Sequence, residues 1–314
     1  MGVRVGWTRL FLALLLALTA EPAVAAEPLR FCVTADNRGH SDFVSILQQI
    51  AKLPGGPGQF MISVGDIDPA QTTRGHLDQV FGKDFVWYPV LGNHELEGTG
   101  ADLAKNDMLY LRKYYDARLK GKVNPGPEGT KETTYSFDAG DVHVAVVNLY
   151  WDGETEPESD KARPYGEAAK PLCKWLEKDL QESRKTWKLV VGHEPPYPQP
   201  DRDWKAARYE STAFSLQPKK RERFWSILED QRVAAYLCSH THRYSRFRPE
   251  GSKVWQVDVA QARGDKSWEF DAFLILTADT KTLRFDVYRN LKEKGQFTVT
   301  DTLTIESPGA PSAK

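Results

Sequence analysis

Tyr88-Pro89-Val90-Leu91-Gly92-Asn93-His94-Glu95 is a short apolar run that stops at a glycine and then delivers an amide, an imidazole and a carboxyl in succession. An apolar run of this length bounded by a turn residue reads as a buried strand. The same arrangement recurs along the chain. Leu29 to Ala35 ends at Asp36, Phe60 to Val64 ends at Gly65-Asp66, and Lys188 to Val191 ends at Gly192-His193. Val233 to Cys238 ends at Ser239-His240-Thr241-His242. In open sheets, ligands gather beyond the carboxyl ends of strands, so residues far apart in sequence can meet there. One Asp or His after a strand is usually a turn or cap residue. Turns do not explain oxygen or imidazole donors at five strand ends.

Between these strands the periodicity is helical. Ser41 offers an N-cap, and Phe43, Ile46, Leu47, Ile50 and Leu53 share one face before Pro54-Gly55-Gly56-Pro57-Gly58 stops the helix. Ala101 to Leu119 reads as one longer helix, and Leu172, Trp175, Leu176 and Leu180 mark another. A further helix is expected from about Lys219 to Gln231. Thr134 to Phe137 turns through Asp138-Ala139-Gly140-Asp141 into Val142 to Leu149 as a hairpin, and strands alone follow Tyr244. Alternation followed by strands gives an α/β chain with two stacked sheets flanked by helices. No shift in composition marks a boundary, so residues 26–306 are expected to form one domain, with a frayed tail at 307–314.

The balance of 42 Lys+Arg against 43 Asp+Glu gives a net charge of −1, which excludes bulk attraction to nucleic acid or an anionic membrane. Arg4 and Arg9, the apolar run Leu10 to Ala20 and the small residues Ala23-Val24-Ala25 read as a signal peptide over residues 1–25. Its cleavage would leave an exported protein, periplasmic or secreted, with no stable membrane insertion. Three cysteines cannot all pair, and Cys32 and Cys238 sit in apolar runs where a free buried thiol fits.

Gly65-Asp66, Gly92-Asn93-His94-Glu95, Gly192-His193 and Ser239-His240-Thr241-His242, in this order, resemble the motif set of the calcineurin-like metallophosphoesterase family. The resemblance runs from Asp36 to His242 and implies a four-layer αββα sandwich of two mixed β-sheets flanked by helices. It implies a site for two metal ions at the strand ends. Asp66 would bridge them, Asn93, His193 and His240 would complete one position, and Asp36 and His242 would help hold the other. His94 would protonate the leaving group, a task suited to an imidazole. Carboxylate, amide and imidazole donors without thiolate suit Mn, Fe or Zn.

Two departures stand out. Most relatives read Asp-x-His at the first motif, where this chain has Asp36-Asn37-Arg38. A guanidinium cannot bind a metal, so Arg38 either grips a phosphate oxygen or pairs with a carboxylate. His40 is a potential substitute ligand or a surface residue. Pro69 stands where relatives often carry Asp, Asn or Tyr, and Asp68 is placed to orient His94 or to reach the depleted position. These changes predict one or two ions of unequal affinity.

Other chemistries fail on their own terms. His94-Glu95 lacks the second His of a zincin, the Gly55 to Gly58 cluster lacks a P-loop Lys, and no Gly-x-Ser-x-Gly elbow occurs. Trp151, Tyr165, Tyr197, Trp204 and Tyr209 lie in loops where they either form a lid or cover core, and the basic run from Arg243 to Arg248 lines the cleft or a sheet edge. The expectation is a phosphoesterase acting on a small phosphorylated substrate, mono- or diester, through metal-bound hydroxide. The alternative is a catalytically weakened metal protein that binds a phosphorylated ligand.

Overall fold

A computed structural model describes residues 1–2, 27–98, 100–153, 168–209, 216–264, 270–291 and 295–307. The leader expected over residues 1–25, the tail at 307–314 and Tyr165 fall almost wholly outside them.

The first sheet is built on β1 (Leu29–Thr34), which lies parallel to β2 (Phe60–Val64), itself parallel to β3 (Val86–Val90). On its other side β1 pairs antiparallel with β11 (Ala272–Ala278), followed by β12 (Thr282–Arg289) and β13 (Thr298–Glu306). The composition of each strand follows its place. Every residue of β2 is buried, as a central parallel strand requires. In β12, Leu283, Phe285 and Val287 are buried and alternate with Arg284, Asp286 and Tyr288, as a one-sided strand requires.

The second sheet contains β4 (Asn124–Pro125), β5 (Tyr135–Ala139), β6 (Val142–Val146), β7 (Trp187–Val191), β8 (Ala235–Cys238), β10 (Trp255–Val259) and β9 (Tyr244–Phe247), in that spatial order. Here β6, β7, β8 and β10 run parallel and the outer strands antiparallel. Both sheets are mixed, and the four-layer αββα sandwich is the observed architecture. One apolar core, including Phe31, Ile62, Val144, Leu189 and Leu276, joins the two sheets and α1 (Phe43–Lys52). A second, including Val190, Tyr236 and Cys238, seats α4 (Lys170–Glu182) and α5 (Pro218–Asp230) on the other face of the second sheet.

Several sequence expectations change. Asp42, not Ser41, precedes α1, and no side chain caps it. The stretch expected as one helix from Ala101 is α3 (Asp107–Tyr114), capped by Asn106 Oδ1 accepting from Leu109 N at 2.9 Å, and ending in a wider turn at Tyr115–Leu119. A helix not expected, α2 (Ala70–Phe81), follows β2. Its buried face holds Thr73 and Arg74 beside Leu77, so polarity hid its period. Arg74 is satisfied there by Asp78 and the carbonyls of Lys83 and Phe85.

The loop after β7 is tied to both sheets. Arg289 of β12, 1% exposed, donates to Asp201 at 2.7 and 3.1 Å and to Asp203 at 2.6 Å. Arg202 N donates to the carbonyl of Tyr244 in β9 at 2.8 Å. Cys32, Cys173 and Cys238 are free and buried, as expected of core thiols.

Candidate metal centre

The ends of β1, β2, β3, β7 and β8 converge. Asp36, Asp66, His240 and His242 all have φ between 48° and 71°, an uncommon conformation for non-glycine residues. Such geometry persists where the surroundings enforce it, and it clusters at functional sites. It turns each side chain off its strand end toward a common centre. Two glycines of the motifs make room for them. A Cβ on Gly65 would collide with the His193 ring, and one on Gly92 would collide with Asp66.

Asp66, His193 and His240 bring ligand atoms within 4.8 Å of one another, and so do Asp36, Asp66 and His242. Asp66 is common to both groups. On the His193 side the donors are oriented for a cation. His193 Nδ1 donates to the Val64 carbonyl at 2.8 Å and turns Nε2 toward Asp66 Oδ1 at 3.3 Å. Burial works against charge on the ring, but Asp66 and Asp36 outweigh it and favour positive charge on that side, a place that a metal ion can take. His240 presents Nδ1 to Asn93 Oδ1 at 3.1 Å and to His193 Nε2 at 3.3 Å. Its Nε2 faces the buried Glu194 carboxylate at 3.8 Å, and Tyr150 OH donates to the same Glu194 oxygen at 3.0 Å. Carboxylate, amide and imidazole ligand atoms crowded together in a buried site are what a metal ion satisfies.

On the other side Asp36 is fully buried. Its Oδ2 accepts from Ser239 Oγ and His240 N, whereas Oδ1 accepts no hydrogen bond among the described residues and faces His242 Nε2 at 3.3 Å. An orphaned carboxylate oxygen beside an imidazole fits a cation there as well. Arg208 Nη1 contacts His242 Nδ1, and Arg263 Nη2 lies 3.5 Å from His242 Nε2.

The field agrees with this chemistry. Burial pushes Asp66 up, but the neighbouring His193 outweighs it and holds the carboxyl well below its ordinary range. Asp36 is likewise lowered, burial being overcome by His242. Burial and the His193 charge pull His240 down to about 4, so it is a neutral donor near pH 7. Burial together with Asp66 and Asp68 raises Glu95 well above the usual carboxyl value.

The family described as calcineurin-like phosphoesterase matches residues 29–244, most of the chain and all of these strand ends. The chain belongs to the calcineurin-like phosphoesterase family. Its curated relatives include purple acid phosphatase 22 of Arabidopsis thaliana, 27% identical over 195 residues, which make up 59% of this chain and 38% of that one. Purple acid phosphatase 7 of the same plant is 25% identical over 230 residues, 67% of this chain and 61% of that one. The chain thus spans less than two thirds of either relative. Among solved structures, that of PhoD aligns with a TM-score of 0.57 at 11% identity, covering 91% of this chain and 71% of that one. GAP50, titled the anchor in the inner membrane complex of Plasmodium, aligns at 0.51 and 14% identity, covering 90% and 89%. These two likenesses concern the fold.

Within this calcineurin-like phosphoesterase, Asp36, Asp66, Asn93, His193, His240 and His242 all meet at the centre expected from the motifs. His94 stands at its rim with its side chain 26% exposed, Nε2 3.7 Å from Asp66 Oδ2 and Nδ1 2.7 Å from Glu97 Oε1. Arg38 pairs with Asp68 at 2.5 Å, so Glu97, not Asp68, fixes the His94 ring. His40 is exposed.

Among the described residues, Tyr209 is the one of these loop aromatics that reaches the centre, stacked on His240 with centroids 4.6 Å apart. Trp151 is core, Tyr197 packs on Trp225, and Trp204 lies under Arg243. In the basic run, Arg246 pairs with Asp301 at 2.9 Å and Arg248 covers Trp255, so both serve the sheet edge.

Sequence reasoning missed Glu95, Glu97, Glu194, Arg208 and Arg263. Glu95 accepts from Asp66 N, Ile67 N and Gly92 N at 3.1, 2.7 and 2.5 Å and so shapes two strand-end loops. Its place within the Gly-Asn-His-Glu motif was the available signal. Arg208 and Arg263 lie in loops and carried none. Among the described residues, no helix is long and apolar enough to cross a membrane.

Proposed function

We propose that this chain is a metal-dependent hydrolase of small phosphate mono- or diesters, with Asp36, Asp66, Asn93, His193, His240 and His242 as metal ligands. The carrying observation is that two groups of donors share one carboxylate, Asp66, with an imidazole at the open edge. A divalent ion of the Mn, Fe or Zn class bound there supplies Lewis-acid charge to a phosphoryl oxygen and lowers the pKa of water.

The chain's own residues do the rest. Glu97 lies 2.7 Å from His94 Nδ1, so a His94 that carries protons on both nitrogens keeps the one on Nδ1 and can give the other, from Nε2, to the leaving-group oxygen. Arg38, braced by Asp68 and 28% exposed, keeps N–H groups available for a phosphate oxygen. Val64, through its carbonyl, fixes the ring of His193, and the Glu194 carboxylate lies 3.8 Å from His240 Nε2. Export to the periplasm or medium is part of the same reading and rests on the leader-like residues 1–25.

A panel of aryl phosphate mono- and diesters, assayed with Mn, Fe or Zn, tests the reading. Turnover that vanishes on chelation and in Asp66→Asn supports it. Tight binding of inorganic phosphate without turnover of any ester would instead establish a weakened, ligand-binding protein, the reading that Arg38 at the first motif favours.

A further inference from the structure

Strand β10 reads Trp255-Gln256-Val257-Asp258-Val259, and Asp258 within it is 1% exposed. Burying a carboxyl is costly unless its oxygens are bonded, and an apolar residue would suit this strand better. Asp258 is not among the proposed ligands, so the cost has another reason. The register supplies one. β10 runs parallel to β8, with Asp258 opposite Cys238, the last residue before Ser239-His240-Thr241-His242. It also pairs antiparallel with β9, with Asp258 opposite Ser245. Asp258 therefore sits between the strand that enters this turn and the strand that leaves it.

Thr241 Oγ1 donates to Asp258 Oδ2 at 2.6 Å, and the same Oγ1 accepts from Arg243 N at 3.1 Å. Asp258 Oδ1 accepts from Ala260 N at 3.2 Å, and the Ala260 carbonyl accepts from Ser239 Oγ at 3.0 Å. The end of β10 thus grips the turn at two places, Ser239 and Thr241. His240 and His242 flank Thr241 with φ of 71° and 56°, values that non-glycine residues keep only where the surroundings enforce them. The two histidines serve different groups of donors, His240 with Asp66 and His193, His242 with Asp36 and Asp66.

We propose that Asp258 is a positioning residue for both halves of the metal centre, acting through Thr241. Its side-chain bonds among the described residues go to Thr241 and Ala260, so it aims His240 and His242 through the backbone that carries them. This inference rests on the metal-centre reading above. Loss of one ligand weakens chiefly the ion that it touches, whereas loss of this brace loosens both histidines at once.

The test uses the full chain and Zn²⁺ alone, read by calorimetric titration. Asp258→Leu fills the space without a hydrogen bond, and Thr241→Val removes the hydroxyl at nearly constant shape. Each should lower zinc affinity about 10-fold at every position the wild type fills, the lower end of the 10–100-fold range for residues that orient metal ligands. The double variant should be no weaker than either single one, because both break the same bond. Asp258→Asn and Thr241→Ser should bind zinc nearly as the wild type does. The Asn amide can donate to Thr241 Oγ1 while its oxygen accepts from Ala260 N. A side chain that only filled space would tolerate Leu and gain nothing from Asn. In the metal-free protein, the ring NMR signals of His240 and His242, assigned with His240→Gln and His242→Gln, should both move in Thr241→Val, with those of His143 unchanged. Melting temperatures identify the variants that fold, and Thr241→Val carries the test if Asp258→Leu does not. Unchanged zinc affinity, losses that add in the double variant, or a ring shift confined to one of the two histidines overturns the proposal and leaves the metal centre standing. A wild type that binds no zinc overturns both.

Discussion

His193 and His143 are both buried in the second sheet and both lie within 3.3 Å of an aspartate, yet they are held for different ends. His193, past the end of β7, gives one nitrogen to a carbonyl and turns the other toward Asp66 and His240. His143, inside β6, gives both nitrogens to carboxylates, Nδ1 to Asp138 at 2.8 Å and Nε2 to Asp179 at 2.9 Å. Asp179 belongs to α4 and also accepts from Ser136 Oγ at 2.6 Å, so His143 fastens a helix to a hairpin. Burial pulls the His143 pKa down, but the two carboxylates outweigh it and the net shift is upward. One imidazole is aimed at a cluster of other ligand atoms that a cation can join, and the other is closed off by a carboxylate on each side. A cavity of about 720 Å³ beside Trp175, Lys178 and Lys185 adjoins the His143 clamp, so a cavity by itself does not mark where the chemistry lies.

The comparison breaks most visibly at Asp66. Asp66→Asn should abolish zinc retention and lower turnover by more than the loss of a proton donor does, whereas Asp179→Asn should leave retained zinc as it was; elemental analysis beside a kinetic assay reads both. His94→Ala comes next. It should reduce kcat by about 10²–10⁴-fold, the span of a general acid, with zinc content intact. Glu97→Gln should give a smaller loss of the same kind.

The other arm of the comparison is a matter of stability. His143→Gln should lower stability by roughly 1–3 kcal/mol, the cost of stranding buried hydrogen-bond partners. Its pH dependence has a definite sign. The folded value is raised above the ordinary 6.5, so the clamp contributes in full below that pH and its contribution fades as pH climbs through the folded value. Melting temperatures of wild type and variant should therefore converge in the alkaline range; a gap that widens there would refute the carboxylate clamp. The smallest effect belongs to the cysteines. Burial pushes the Cys32 and Cys238 thiols upward, so a thiol reagent should react with neither until the chain unfolds, and a reductant should leave the melting temperature unchanged.

The strands and the centre they carry were legible in the sequence because apolar runs ending in Gly-Asp, Gly-Asn-His or Ser-His-Thr-His combine a local signal with a positional rule. Helix α2 was not, since Thr73 and Arg74 line its buried side and break the apolar period. Nor was the fate of Arg38, which turned on the reach of Asp68 from another loop. Arg208 lay beyond reach for the same reason. Its partner His242 is 34 residues away in sequence, at the end of another strand. Of the loop aromatics, which one faced the centre depended on loop course, and side-chain type carried no trace of it.

The Arg289–Asp201 pair fastens the start of the loop after β7 to a strand of the opposite sheet. Asp201 also accepts from Trp204 N and Lys205 N and donates to the carbonyl of Ala206, so the pair holds this whole turn as one piece. A change of length within the turn would therefore pull on both sheets at once, which confines variation here to the chemistry of its outward side chains.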